Sequence, residues 1–193
     1  MAFPTTSLVN NQVHKEGNRA WVYDSTVGVW DQVREVDNSP NNNAGFPPAG
    51  HVIQVVSSEY STYTVTTSNS WHTTNLNCSI TPKSTSSRIL VSVMGGAYSR
   101  GLGTYRGSFT LFRGTVSGTN LGNETRGFGS LLTYTGSTGY HQFSIVPMTY
   151  LDSPSTASSQ MYTVAMKAEG NSTPTGWCGN GSVSTMTLTE VAG

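Results

Sequence analysis

The sequence predicts an all-β protein: a small N-terminal β-meander module, a linker rich in Pro and Asn, and an antiparallel jelly-roll-like β-sandwich. Three observations support this fold class. Apolar and polar residues alternate with a period of two in many short segments, as at Leu76, Cys78 and Ile80. Segments rich in Gly, Ser, Thr and Asn separate these runs. Helical periodicity is not sustained anywhere in the chain, so no helix is expected.

Residues 1–37 are predicted to form a module of their own. Strands are expected at 20–24 and 29–33, joined by a turn at 25–28. The apolar content of this module is mainly Trp21, Tyr23 and Trp30, which is too little for an independent core. We therefore expect these three residues to anchor the module on the main domain, on another copy or on another protein.

Residues 38–50 are predicted to be a linker, and residues 51–193 the β-sandwich domain. The linker contains three prolines, two glycines and a run of Asn, which exclude regular structure. In the domain, the nearly continuous apolar run 89–94 predicts a strand buried at the centre of the sandwich. About eight strands at this spacing indicate a jelly roll, and the missing Cys…Trp…Cys spacing disfavours an immunoglobulin-like sandwich. Exposed Gly-rich turns or loops are predicted at 95–103, 115–129 and 170–181.

Charge is scarce in this chain. The formal net charge is zero and only 10% of the residues are charged, against about 25% in an average soluble protein. Nucleic-acid binding is not expected, because no basic surplus is available for it. A surface with few charges suits packing against identical neighbours, where charges would be costly to desolvate. Neither a membrane span of about 20 apolar residues nor a signal peptide is visible, so we expect synthesis in a cytoplasm without membrane insertion.

The chemistry-bearing residues do not form a recognisable catalytic or metal-binding pattern. The four histidines, His14, His51, His72 and His141, fall in different predicted elements and lack metal-ligand spacing. The acidic residues show no paired arrangement in the main domain, and neither a nucleophile elbow nor a phosphate loop is present. We therefore predict no catalytic residue, no metal site, no cofactor and no enzymatic activity. Cys78 and Cys178 are expected to be free thiols, although a disulfide between them stays open.

Aromatic residues near the Gly-rich segments are candidate contacts for a receptor, since exposed rings commonly bind sugars. The candidates are Tyr98, Tyr105, Phe128, Tyr140 and Trp177. The competing interpretation, that each ring packs in a subunit interface or at the edge of the core, is favoured for every one of them.

Two groups of motifs resemble structural proteins of tailed bacteriophages, especially marine and cyanobacterial ones. The opening Met-Ala-Phe-Pro-Thr, with residues 11–13, 20–25 and 29–33, is similar to short N-terminal modules of such proteins. Residues 52–56, 79–91 and 151–154 are similar to a β domain of the virion in the same group. The resemblance covers most of the chain.

The resemblance implies a β-sandwich that is often trimeric and is displayed on the outside of the virion, without catalytic residues. We expect a homotrimer that contacts other virion proteins of the tail or capsid, and a short tail fibre or spike that attaches to the host, with a surface glycan as a possible ligand. Two alternatives stay open: a capsid decoration protein that stabilises the head, and a soluble carbohydrate-binding module. Tail fibres are usually longer and carry a shaft, which this chain lacks, so a compact trimer is expected.

Overall fold

The computed structural model describes residues 8–9, 12–16, 19–33, 47–101, 104–134, 140–169, 174–178 and 181–193. The chain divides into two compact units, Met1–Phe46 and Pro47–Gly193. All regular structure in the described residues is β-strand, apart from one isolated turn of 3₁₀ type, which confirms the predicted fold class. The predicted linker falls largely outside the described residues, which resume at Pro47.

The first unit is an antiparallel meander of three strands. These are β1 (Val13–Glu16), β2 (Arg19–Asp24) and β3 (Val29–Val33), in the order β1-β2-β3. Asp24 closes the turn between β2 and β3: its carboxylate accepts a 2.7 Å hydrogen bond from the amide of Thr26, and Gly28 adopts a φ of 70°, which glycine tolerates without strain. The prediction placed β2, β3 and this turn correctly but did not identify β1 as a strand.

The second unit contains thirteen strands in the described residues. They are β4 (Val52–Tyr60), β5 (Thr64–Thr66), β6 (His72–Ile80), β7 (Arg88–Met94), β8 (Gly96–Gly101), β9 (Thr104–Arg113), β10 (Thr119–Asn120), β11 (Gly129–Tyr134), β12 (Tyr140–Ile145), β13 (Met148–Asp152), β14 (Gln160–Glu169), β15 (Thr175–Trp177) and β16 (Ser184–Val191).

Two four-stranded ladders, β13-β7-β16-β4 and β12-β8-β15-β5, join end to end into one continuous sheet, the long sheet. Each strand of one ladder continues along the chain into a strand of the other, and such a pair of consecutive strands is called a pass. The four passes have the same order in both ladders. Only Gly95 separates β7 from β8, and its carbonyl accepts a 2.9 Å bond from the amide of Val146 between β12 and β13. The amide of Cys178, after β15, donates a 2.8 Å bond to the carbonyl of Gly96. These bonds carry the sheet from one ladder into the other.

The other sheet, the short sheet, has the order β10-β9-β14-β6, and β11 also pairs with β9. The second unit has eight passes in the described residues. Five of them consist of two consecutive strands each: β4–β5, β7–β8, β10–β11, β12–β13 and β15–β16. The long sheet then reads 6-3-8-1 and the short sheet 5-4-7-2. Two four-pass antiparallel sheets connected in this order form a jelly roll, as predicted.

The hydrophobic core lies between the two sheets. Ile89, Val91 and Val93 of β7 are buried in it, as are Met186 and Leu188 of β16. The short sheet contributes a matching set: Leu76, Phe109, Leu111, Val164 and Met166. The apolar run 89–94 is therefore an interior strand of the sandwich, as predicted. Its outer face is half-buried at Leu90 and 57% exposed at Met94.

Candidate binding surfaces

An ionic triad links the two sheets at one end of the core. Nη1 of Arg113, on β9, lies 3.1 Å from Oδ2 of Asp152, on β13. The buried hydroxyl of Tyr162, on β14, donates a 2.7 Å hydrogen bond to the same oxygen. Burial, followed by the hydrogen bond to Asp152 and its charge, raises the pKa of Tyr162, so its hydroxyl stays protonated as a donor. The polar groups of the triad are engaged with one another, which indicates a structural role.

A buried glutamate fastens the segment before β7. Glu190, on β16, accepts a 2.6 Å bond from Nε2 of Gln54 and a 2.6 Å bond from the amide of Lys83. Burial by itself would raise the pKa of Glu190, but the hydrogen bonds outweigh it and hold the pKa below its ordinary value. The charged carboxylate is therefore the form that stabilises this end of the sandwich.

Glu190→Gln tests this role through pH. A carboxylate whose pKa is lower in the folded state stabilises the fold above its unfolded pKa of about 4.3, and loses that contribution as pH falls through the folded value. We expect the substitution to destabilise the protein at pH 7 and the difference from wild type to shrink at pH 3. Urea unfolding at both pH values measures this, with the exposed Glu124→Gln as control. If the variant lost the same free energy of unfolding at both pH values, the charge of Glu190 would not be what stabilises the fold.

The described residues offer no group of three or more His, Cys, Asp or Glu side chains that could hold a metal ion. Cys78 and Cys178 are both unpaired and buried. The thiol of Cys178 lies 3.1 Å from the hydroxyl of Ser184 and 3.1 Å from the carbonyl of Tyr60. Burial raises the pKa of Cys178, which favours an unreactive thiol.

The outer face of the short sheet is covered by a segment of its own chain. Oγ1 of Thr110 on β9 donates a 2.7 Å bond to Oδ1 of Asn120, and Nε1 of Trp71 lies 3.2 Å from the carbonyl of Glu124. Arg126 forms a 3.4 Å ion pair with Glu169 of β14. Thr110 is consequently buried although its side chain points away from the core. The predicted exposed loop 115–129 does expose residues 115, 117–119 and 123–126, but it also contains the short strand β10 and lies against the sheet through Asn120 and Arg126.

The outer face of the long sheet is less covered by the described residues of the second unit. Tyr98 of β8 sits opposite Phe143 of β12 and Gly176 of β15, and Gly176 sits opposite Val65 of β5. The ring of Tyr98 lies 5.0 Å from that of Phe143 and 6.0 Å from that of Tyr63. Tyr63 occupies the space over Gly176, where a Cβ would lie 2.7 Å from the ring. The three rings form a group, the aromatic cluster, in which Phe143 and Tyr63 remain half exposed.

The predicted receptor residues do not converge on one loop surface. Tyr98 lies in a strand, within the aromatic cluster, and its own ring is nearly covered. Tyr105 is half-buried on β9, and Phe128 packs its ring 5.8 Å from that of Tyr150 at the edge of the core. Tyr140 begins β12, and its side chain lies outside the described residues.

Trp177 requires a correction, because the segment around it is not an exposed loop. It lies on β15 and is fully buried, with its ring 5.6 Å from that of Phe109 in the core. Burial leaves no part of this side chain for a receptor. The members of the aromatic cluster that the prediction missed, Tyr63 and Phe143, come from strands distant in sequence. For Phe143 the sequence does contain a signal: the apolar Ile145 follows it two residues later, so both side chains point to the same face of β12.

The predicted anchoring residues of the first unit do lie together. In the meander, His14 is opposite Trp21 and Tyr23 is opposite Trp30, so all four side chains share one face. The ring centroids are 6.1 Å apart for His14 and Trp21, 5.9 Å for His14 and Trp30, and 5.3 Å for Tyr23 and Trp30. His14 is the member that the sequence did not reveal, because β1 was not predicted.

The chain matches no protein-family model, and no curated protein is similar to it. In the part of the chain that the structure describes, no helix is long and apolar enough to cross a membrane.

Proposed function

We propose that this protein is a non-enzymatic structural protein of a tailed-phage virion, displayed on the particle exterior as a short tail fibre or spike subunit that takes part in host attachment. The observation that carries the proposal is the division into a small aromatic-faced meander and a separate jelly roll. One unit is suited to attachment and the other to display. The motifs similar to tailed-phage structural proteins occur in both units.

The meander supports an anchoring role. One face of the three-stranded sheet carries His14, Trp21, Tyr23 and Trp30, and of these Trp21 is already buried within the chain, with 6% of its surface exposed. Tyr23 and Trp30 are half-buried on that face, and Trp and Tyr are the side chains most often found at the energetic centre of protein interfaces. In this proposal the rings of Tyr23 and Trp30 contact an acceptor on another virion protein.

The jelly roll supports a display role. Its described buried ionisable groups, the triad around Asp152 and the carboxylate of Glu190, hold the fold together. Its outer surfaces carry hydroxyl and apolar groups with few charges, which suits broad, uncharged contacts.

Two other functions have an observation in their favour. The broad neutral face of the long sheet would also suit a capsid decoration protein, which clamps neighbouring subunits of the shell. The half-exposed rings of Tyr63 and Phe143 would suit a soluble carbohydrate-binding module. Gold-labelled antibodies on purified particles separate tail from head, and a glycan array with the full chain tests the third function.

Removing residues 1–37 is expected to abolish incorporation into particles while the jelly roll stays folded, because its core lies entirely in the second unit. Particles grown from a phage lacking the gene, complemented with either form, are quantified by mass spectrometry. The full-length variant Tyr23→Ala/Trp30→Ala keeps the chain intact, leaves the buried Trp21 in place and should also fail to incorporate. Leu132→Ala, an exposed position in the other unit, is the control and should incorporate normally. Wild-type incorporation of the truncated protein would show that the anchor is elsewhere.

A further inference from the structure

We propose that the outer face of the long sheet is the surface through which copies of this chain pack against one another. This names a partner for the proposed virion protein and rests on that function for its biological role. The physical argument is independent of it, and comes from how apolar and charged side chains are distributed over the two sheets.

The exposed apolar side chains of the second unit gather on this face. Among its described residues, those with large exposed apolar side chains are Val52, Val55, Tyr63, Val65, Met94, Leu132, Phe143, Ile145, Leu151 and Val183. The alternation along the strands places seven of them on the outer face of the long sheet: Val55, Tyr63, Val65, Met94, Phe143, Ile145 and Leu151. Only Leu132, which is opposite Arg106, lies on the outer face of the short sheet. Concentration of this kind on one face marks an interaction surface.

These residues form continuous rows across the strands. Leu151 is opposite Leu90, Leu90 is opposite Thr189, and Thr189 is opposite Val55, so one row crosses all four strands of the first ladder. The aromatic cluster forms a second row in the other ladder. Between them lie a row of Ser92, Thr187 and Ser57, which carry hydroxyl groups, and a row of Met94, Thr185 and Glu59, in which the charged Glu59 stands on the edge strand.

The contrast with the short sheet shows what is missing. There, the chain folds back and buries outward-facing residues such as Ser108 and Thr110. The described cover of the long sheet is smaller: the side chain of Ser182 lies over Gly96, while Ile145 remains 63% and Phe143 51% exposed. A second polypeptide is the cover that would remove this apolar surface from water.

Charge and area favour another copy as that cover. The described charged side chains of the face are Glu59 on the edge strand β4 and Arg88 and Arg100 at the two ends of the central pass. One acid and two bases around an apolar centre allow the acid of one copy to meet a base of the next, whereas a strongly charged partner would find no matching field. The pass from Arg88 to Gly101 is roughly 45 Å long and four strands are roughly 19 Å wide. The resulting area of roughly 850 Å² is close to the 800 Å² or so that each partner contributes to a standard interface.

Light scattering on the full-length chain tests the proposal. Wild type should elute as an oligomer of the 20.6 kDa chain. The double variant Ile145→Lys/Leu151→Lys should shift to the monomer mass, since lysine is costly to desolvate in an apolar interface. Both positions are exposed in the single chain, so the fold should persist, and far-ultraviolet circular dichroism verifies this.

Leu132→Lys is the matched control, because it makes the same kind of change on the outer face of the short sheet and should leave the oligomer intact. A wild-type monomer at every concentration, or a double variant that remains oligomeric, would overturn the proposal. An oligomer that is absent from particles would instead contradict the proposed function alone. A monomer that is incorporated into particles would contradict only the packing surface.

Discussion

Replacing Asp152 with alanine is expected to lower the free energy of unfolding by about 3 kcal/mol, in the range for breaking a buried ion pair. The carboxylate is the shared acceptor for Arg113 and for the buried hydroxyl of Tyr162. Without it, the tyrosine hydroxyl is left without its acceptor inside the core, and the arginine loses its counter-charge. The first of these losses alone costs about 1–3 kcal/mol.

Tyr162→Phe provides the matched control for this substitution. It removes one hydrogen bond and leaves the ion pair in place, so the loss should be about 1 kcal/mol. Urea unfolding of Asp152→Ala, Asp152→Asn and Tyr162→Phe should rank them in decreasing order of damage, because asparagine retains an acceptor. Equal losses for Asp152→Ala and Tyr162→Phe would mean that the ion pair between the sheets contributes nothing to stability.

Replacing Gly95 with alanine is expected to destabilise the protein by about 3 kcal/mol, at the upper end of what overpacking usually costs. A Cβ at this position would overlap Cζ2 of Trp177 and would lie 2.6 Å from both Cη2 of that ring and Oγ of Ser184. The indole is fully buried against Phe109, so it has little room to move away. The backbone at Gly95, between β7 and β8, would have to shift instead.

Gly129→Ala is the control for the general effect of losing a glycine. Its added Cβ would meet nothing closer than 3.9 Å, and its stability should change by less than about 1 kcal/mol. In the background of Trp177→Phe, which shortens the ring, the cost of Gly95→Ala should fall. The same cost with and without the indole would show that the close approach to Trp177 is not the reason for the glycine.

Gly95 also shows where sequence reasoning about the fold failed. The glycines at 95–96 and 101–103 predict a turn between them. In the structure, β7 and β8 are instead one pass of the long sheet, in which Gly95 makes room for an indole ring. Gly176 has the same explanation, because the ring of Tyr63 lies over it. Period-two alternation predicted most strands and the jelly roll correctly, since that signal is local. The reason for a glycine inside a strand depends on a ring that arrives from elsewhere in the chain.

The candidate surfaces were harder to predict for the same reason. The aromatic face of the first unit could be predicted from Trp21, Tyr23 and Trp30, which are close in sequence and on neighbouring strands. The aromatic cluster joins Tyr63, Tyr98 and Phe143 from three separate passes, and only the strand order brings them together. Trp177 looked exposed because its neighbours are small and polar, yet the register of β15 turns its ring into the core.

The most direct test of virion display is to locate the protein in purified phage particles. In the proposed function the chain is encoded by a tailed phage, whose particles are separated on a density gradient, analysed by mass spectrometry, and labelled with gold-conjugated antibodies raised against the jelly roll. We expect the chain to co-purify with intact particles and the gold to lie on the outside, at the tail. Protein found only in the soluble part of the lysate, with unlabelled particles, would contradict the proposed function.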